Sequence, residues 1–296
     1  MATASAVVTR PLVPEQASLW SDAWRRLRRN RLALAGVVFL LFVVAVAVLA
    51  LFYTPYRMSA VAVAEPYSGP SPSHLLGADQ IGRDVLSRLM VGAQVSLVVG
   101  IGTQGLVLLI GVPIGLAAGY YRGWVDSIVT LFINVFYGIP DLLVALIAVF
   151  LLGPSLQNII IAIVVTRWMD MARLVRGQTL SLREREFVEA ARASGAKPAK
   201  ILFGHILPNA LGPIIVQATF GIPSAILFEA FLSFLGVGVQ EPTPSWGSMA
   251  SEGLAAIRIS PHMVLAPALA LSLTLMAFNF LGDGLRDALD PRSRKA

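Results

Sequence analysis

The chain has 296 residues, of which 56% are hydrophobic and only 14% charged, and its mean hydropathy is +0.73. A soluble globular surface needs charge on about a quarter of all residues, so that class is excluded. The net charge of +6 invites a nucleic-acid reading, but the basic residues flank apolar runs instead of clustering with aromatics on a polar face, so no nucleic-acid partner is expected. There is no cysteine, and His74, His205 and His262 stand in no metal-ligand spacing, so disulfides are excluded and no metal site or cofactor is expected.

About 20 apolar residues cross the hydrocarbon core of a bilayer as a helix. Residues 1–31 read as a cytoplasmic tail, mobile over 1–19, with an arginine-rich lead-in to a first span at 32–53. A cleaved signal peptide, with Ala62-Val63-Ala64 as its site, is the alternative; the long apolar run and the further spans argue against it. Residues 54–94 form an extracytoplasmic loop. Within it, 74–92 gathers Ile81, Val85, Leu86, Leu89 and Met90 on one helical face, with Asp84 and Arg88 paired on the other. That predicts an interfacial helix, either at the outer mouth of a path or lying on the bilayer. Further spans follow at 95–119 and 128–152, before Gly153-Pro154 breaks the pattern. A shorter span at 156–169 is weakened by Gln157, Asn158 and Arg167, and the last two run over 209–235 and 262–281. The expectation is an all-α integral membrane protein with about six transmembrane helices, a core over 95–284, and a cytoplasmic tail at 285–296.

Charge orients this arrangement. With both termini cytoplasmic, all of the 23 lysines and arginines except Arg57, Arg83, Arg88 and Arg258 fall on the inside, as the positive-inside rule requires. Omitting the fourth span would turn the basic 171–208 loop outward.

That loop is the most informative segment. Ser181 with Glu184 predicts a capping box. Phe187, Ala190, Ala191 and Ser194 make a small-residue face on a short amphipathic helix. Gly195 can end it in a left-handed conformation, and Pro198 suits the first turn of a second helix in which Ile201, Leu202 and Phe203 lead back to the membrane. Spacing alone leaves two readings: a helix–turn–helix that receives a partner, or an ordinary charged loop. In the spans, Gly111, Gly115 and Gly119 form a doubled small-xxx-small stripe for close helix packing. Asp141, after Pro140, and Glu229, mid-span, are charges that should face protein or water and not lipid.

Glu189-Ala190-Ala191, then Gly195, then Leu207-Pro208, resembles the EAA loop of permease subunits in ABC-type importers. The resemblance implies a coupling helix that docks on an ATP-hydrolysing subunit, with those six residues at the contact, and makes Asp141 and Glu229 candidates for the translocation path or the seam between permease subunits. Residues 25–36, 76–89, 233–247 and 280–292 are similar, in collinear order, to the C-type permeases of dipeptide, oligopeptide and nickel importers. What this implies is a bacterial or archaeal inner-membrane subunit working with a second, homologous permease, two cytoplasmic ATP-binding subunits and an extracytoplasmic substrate-binding protein. Di- or oligopeptides are the implied substrate, with nickel chelates, glutathione and other small solutes open. His205 stands where the loop usually has Ile. Ala78, Gln94, Leu131, Asn134 and Glu241 also depart from the pattern, which leaves the subunit role intact and puts the substrate in question. No phosphate loop, nucleophile–base pair or HExxH motif occurs, so ATP hydrolysis is assigned to partners and the chain itself is not expected to be an enzyme. A proton-coupled secondary transporter using Asp141 or Glu229 is the main competing class, although no internal repeat is obvious; an intramembrane enzyme lacks a catalytic constellation.

Overall fold

The computed structural model describes residues 24–289, so the N-terminal tail and the residues beyond Leu289 lie outside it. Its helices are α1 (Arg31–Leu49), α2 (Val85–Tyr121), α3 (Gly123–Tyr137), α4 (Asp141–Leu152), α5 (Leu156–Leu182), α6 (Glu186–Ala193), α7 (Pro198–Ile201), α8 (Leu207–Phe234), α9 (Trp246–Leu254) and α10 (His262–Leu289). Among the described residues there is no named strand, only an isolated bridge between Ala78 and Asp84. Among the described residues, four rods are long and apolar enough to cross a membrane: α1, α2, the continuous Pro198–Phe234 and α10.

Helix ends explain how the observed spans differ from the expected ones. The second does not start at 95. Asp84 accepts the Ser87 N–H at 2.8 Å as a side-chain N-cap, so α2 begins at Val85 and absorbs the C-terminal half of the expected interfacial helix. Residues 74–84 are irregular, and no separate interfacial helix forms there. The third span is broken: α3 and α4 meet at 89° across Gly138–Pro140, because Pro140 cannot donate to the ladder and starts a new helix. Counted as one, this bent pair makes a fifth span. The helix expected at 156–169 runs on to Leu182 and carries Arg167, Asp170, Arg173 and Arg176, so it falls short of the others in apolar character.

Helix α2 is the spine. The glycine stripe lies against α5: a Cβ on Gly115 would stand 2.5 Å from the Ala172 carbonyl oxygen, and one on Gly119 2.6 Å from Thr179 Cβ. Backbones approach this closely only where side chains are missing, which is how small residues bind helices without a hydrophobic drive in lipid. α1 packs on α10 and α2, with Leu40, Val43 and Ala47 meeting Leu97, Ala277 and Phe278. At the end of the bundle where α1 stops and α2 starts, α9 and residues 54–84 form a cap. Trp246 is buried there and its indole donates to the Leu89 carbonyl at 3.1 Å, so it is packed into protein and not left at a lipid interface. Exposed apolar side chains such as Leu41, Phe42, Leu109, Phe150 and Leu269 cover the outside of the rods, as a lipid-facing surface does.

Candidate functional site

Three polar constructions interrupt the apolar bundle. The first is the hairpin of α6 and α7, at the end opposite the cap. The expected capping box does not form: Ser181 lies inside α5, and Glu184 pairs with Arg122 at 2.9 Å and Arg183 at 3.2 Å. Helix α6 begins instead after Arg185, with Glu186 and Glu189 in its first turn, where carboxylates suit the helix dipole. It ends in a Schellman arrangement: Gly195 has φ of +76°, its N–H meets the Arg192 carbonyl at 3.0 Å, and the Ala196 N–H meets that of Ala191 at 3.0 Å. Val188 is the buried anchor, in one cluster with Leu116, Met171, Ile201, Leu202 and Ile206; Ala191 leans against it. The opposite face stays open: Phe187, Glu189, Ala190 and Ser194 are exposed, as are Gly195 and Pro208, while Leu207 is half-buried.

Between α7 and α8 the chain makes a π-turn over Leu202–Ile206, the Leu207 N–H donating to the Leu202 carbonyl. Pro208 explains it, since a residue without an N–H disturbs the regular ladder at that point. Asn209 Nδ2 donates to the His205 carbonyl at 2.7 Å.

The second construction surrounds Arg167. The α3–α4 break opens a cavity of about 260 Å³ lined by Tyr137, Asp141, Arg167 and Asp170 among others. Arg167 Nη2 stands 3.0 Å from Asp141 Oδ2, and its guanidinium lies 5.0 Å from the centre of the Phe228 ring. Tyr137 donates to Asp170 and is covered by Arg173, 4.1 Å above its ring. A second cavity of about 220 Å³, between α2, α5 and α8, shares Arg167 and Asp170 with the first. Asp141 therefore lies on a cavity. Glu229 does not: it is 0% exposed, held by Ser233 Oγ at 2.6 Å under the start of α9, and lines neither space. α9 presses close here, for a Cβ on Gly247 would stand 2.4 Å from Ala230 Cα. Sequence reasoning weighed Arg167 only as a flaw in a span and as one more basic residue. An ionisable side chain inside an apolar run was itself the signal.

The third construction is an ion network in the cap. Arg83 and Arg88 are 3% and 1% exposed. Arg83 reaches Asp79 at 2.5 Å, Glu241 at 2.8 Å and Glu252 at 3.1 Å. Arg88 reaches Asp79 at 3.1 Å and both Glu252 oxygens at 2.9 and 3.0 Å, so the expected Asp84–Arg88 pair is replaced; Asp84 instead meets His74 at 3.0 Å. Three carboxylates share two guanidiniums. Burial pushes the Glu252 carboxyl up to about 7; Arg83 opposes this, and Glu241 and Asp79 add to it. Glu241, one of the positions departing from the family pattern, thereby has a specific partner. Glu252 lies in a stretch without a periodic pattern, and only the folded cap reveals its role.

Comparison with known proteins places this architecture. Residues 111–295 match the family described as binding-protein-dependent transport system inner membrane component, and residues 18–70 match the N-terminal TM domain of oligopeptide transport permease C. The dipeptide transport system permease protein DppC of Bacillus subtilis (strain 168) is 47% identical over 280 residues, 94% of this chain and 87% of that protein. The oligopeptide permease OppC of the same organism is 41% identical over 99% of this chain and 96% of its own length. A glutathione transport system permease protein, GsiD of Escherichia coli O6:K15:H31 (strain 536 / UPEC), is 43% identical, with 97% and 96% covered. Among solved structures, an inward-facing conformation of the MetNI methionine ABC transporter matches with a TM-score of 0.58 and 21% identity, covering 69% of this chain and 96% of that one, a likeness of fold. The chain belongs to the binding-protein-dependent transport family and is an integral membrane permease subunit of the ABC-importer type.

Proposed function

We propose that this subunit forms half of the translocation path of an importer for short peptides, with a second homologous permease as the other half. Two cytoplasmic ATP-binding subunits drive it through the α6–α7 hairpin, and an extracytoplasmic binding protein delivers substrate at the cap. The observation that carries the reading is the build of the hairpin. Val188, Ile201, Leu202 and Ile206 fix it to the α2–α5 core, so force on its open face passes into the bundle. Phe187, Glu189 and Ala190 remain exposed, a small face on which a partner can sit. In this arrangement both chain termini and the hairpin are cytoplasmic, consistent with the basic residues of 171–208. Relatives named for dipeptides, oligopeptides and glutathione share substrates with amide bonds and free carboxylates, which supports peptides over metal chelates.

Gly195 tests the coupling role. Nothing lies within 4 Å of a Cβ placed there, so a side chain has room within this chain, but its φ of +76° disfavours L residues by about 1–2 kcal/mol. Gly195→Asn, which tolerates that conformation, should retain more ATP-dependent uptake than Gly195→Leu, which should lose at least about tenfold while inserting normally. Uptake in vesicles without ATP, abolished by an uncoupler, would overturn the reading in favour of a secondary transporter. Against that alternative, Asp141 is already ion-paired with Arg167 and Glu229 is enclosed.

A further inference from the structure

Among the described residues, eight buried polar side-chain atoms lack a hydrogen-bond partner, and three of them belong to one place. Thr103 Oγ1, Gln104 Nε2 and Arg167 Nε all come from residues lining the 220 Å³ cavity between α2, α5 and α8. Thr103 and Gln104 are 1% and 6% exposed, so bulk water does not satisfy them. A buried polar group left unpaired is unfavourable, and such groups gathered on one cavity call for a guest that completes them. Every one of the three can donate. The guest should therefore bring acceptors.

Arg167 adds charge to that preference. Arg167 lines both cavities, with Nη2 paired to Asp141 at 3.0 Å and Nε left without a partner. A planar fork of donors matches a carboxylate. The 220 Å³ space would hold about seven waters at about 30 Å³ each, room for the end of a peptide and not for a whole long one. Asp170, lining both cavities, supplies negative charge for the ammonium or amide N–H groups of the same molecule.

We propose that Thr103, Gln104 and Arg167 form a recognition point for the free C-terminal carboxylate of a peptide in transit, which meets the part of the guanidinium that Asp141 leaves open. This rests on the importer reading above and adds a selectivity step inside the membrane to that made by the binding protein. The C-terminal carboxylate is the acceptor group common to all short peptides, whereas their side chains vary.

Gly221 gives a way to test the site without deleting a polar group. A Cβ there would lie 1.9 Å from Gln104 Oε1, so Gly221→Ala must displace the carboxamide. The experiment uses the complete importer with its binding protein in proteoliposomes, with ATP supplied to the ATPase side. Uptake of dialanine and of dialanine amide is measured at saturating loaded binding protein, for wild type, Arg167→Gln, Gln104→Leu and Gly221→Ala. Because the binding protein is the same throughout, a change in the free-to-amide ratio belongs to the permease. Wild type should favour the free acid, and the ratio should fall about tenfold in Arg167→Gln, the scale of one hydrogen bond to a charged group, and severalfold in the other two. Co-purification of the ATPase shows which variants assemble, and the ratio is read from those. An unchanged ratio in the assembled variants, or no preference in wild type, overturns the proposal while leaving the importer reading intact. Failure of wild type to import either peptide with ATP overturns both.

Discussion

Replacing Arg88 by Met keeps the apolar stem of the side chain and removes the guanidinium from the centre of the cap. Arg88 makes one contact to Asp79 at 3.1 Å and two to Glu252 at 2.9 and 3.0 Å. Taking away one member of a buried ion pair costs about 3–5 kcal/mol, because the partner is left charged without compensation. Arg83 still touches both Asp79 and Glu252, which places the loss near the lower end, about 3 kcal/mol. At about 2–4 °C per kcal/mol for a chain of this size, the midpoint should fall by about 6–12 °C. Thermal unfolding of the detergent-purified chain, followed by the fluorescence of its five tryptophans, measures this. Glu252→Gln in the same background should recover part of the loss, with a coupling of about 1–2 kcal/mol in the double-mutant cycle. A fall below about 2 °C, or strictly additive effects, would refute the claim that the guanidinium ties α2 to α9.

Gly115→Leu should separate α2 from α5, since even a Cβ meets the Ala172 carbonyl oxygen at 2.5 Å and Val175 Cβ at 2.7 Å; the expected destabilisation is about 1–3 kcal/mol or failed folding, whereas Gly105→Ala, with open space around it, should be nearly neutral by the same assay. Stability should also depend on pH through Glu252. Its folded value near 7 stands above its ordinary 4.5, so the folded state holds the extra proton between those values. That contribution is complete below about pH 4.5 and is lost as pH rises through 7, so the midpoint should fall between pH 5 and pH 8 and the slope should flatten in Glu252→Gln.

Much of this molecule is legible from composition and punctuation. Apolar runs fix the rods, Gly195 and Pro198 mark the hairpin, and the Gly111–Gly115–Gly119 stripe announces a close helix contact. What escapes the sequence is set by contacts distant along the chain. The start of α2 at Val85 depends on the Asp84 cap in a cap domain held by His74 and Ser87. Ser181 looks like an N-cap, yet α5 runs through it, because packing along α2 keeps the helix going to Leu182. Arg167, Asp141, Thr103 and Gln104 come from three helices, and no local pattern joins them. Glu229 satisfies the rule that a mid-membrane charge avoids lipid, but the rule does not say whether protein or water replaces it; the packing of α9 over α8 decides for protein.

The absence of native cysteine makes the decisive measurement clean. A single thiol in Ala190→Cys, treated with a membrane-impermeant maleimide from either side of the membrane and with a short bifunctional crosslinker in the assembled complex, reports both the side and the partner of α6. The account predicts labelling from the cytoplasmic face alone and an adduct with the ATP-binding subunit. Labelling from the outer face, or a complex that turns over ATP without ever yielding that adduct, would contradict it.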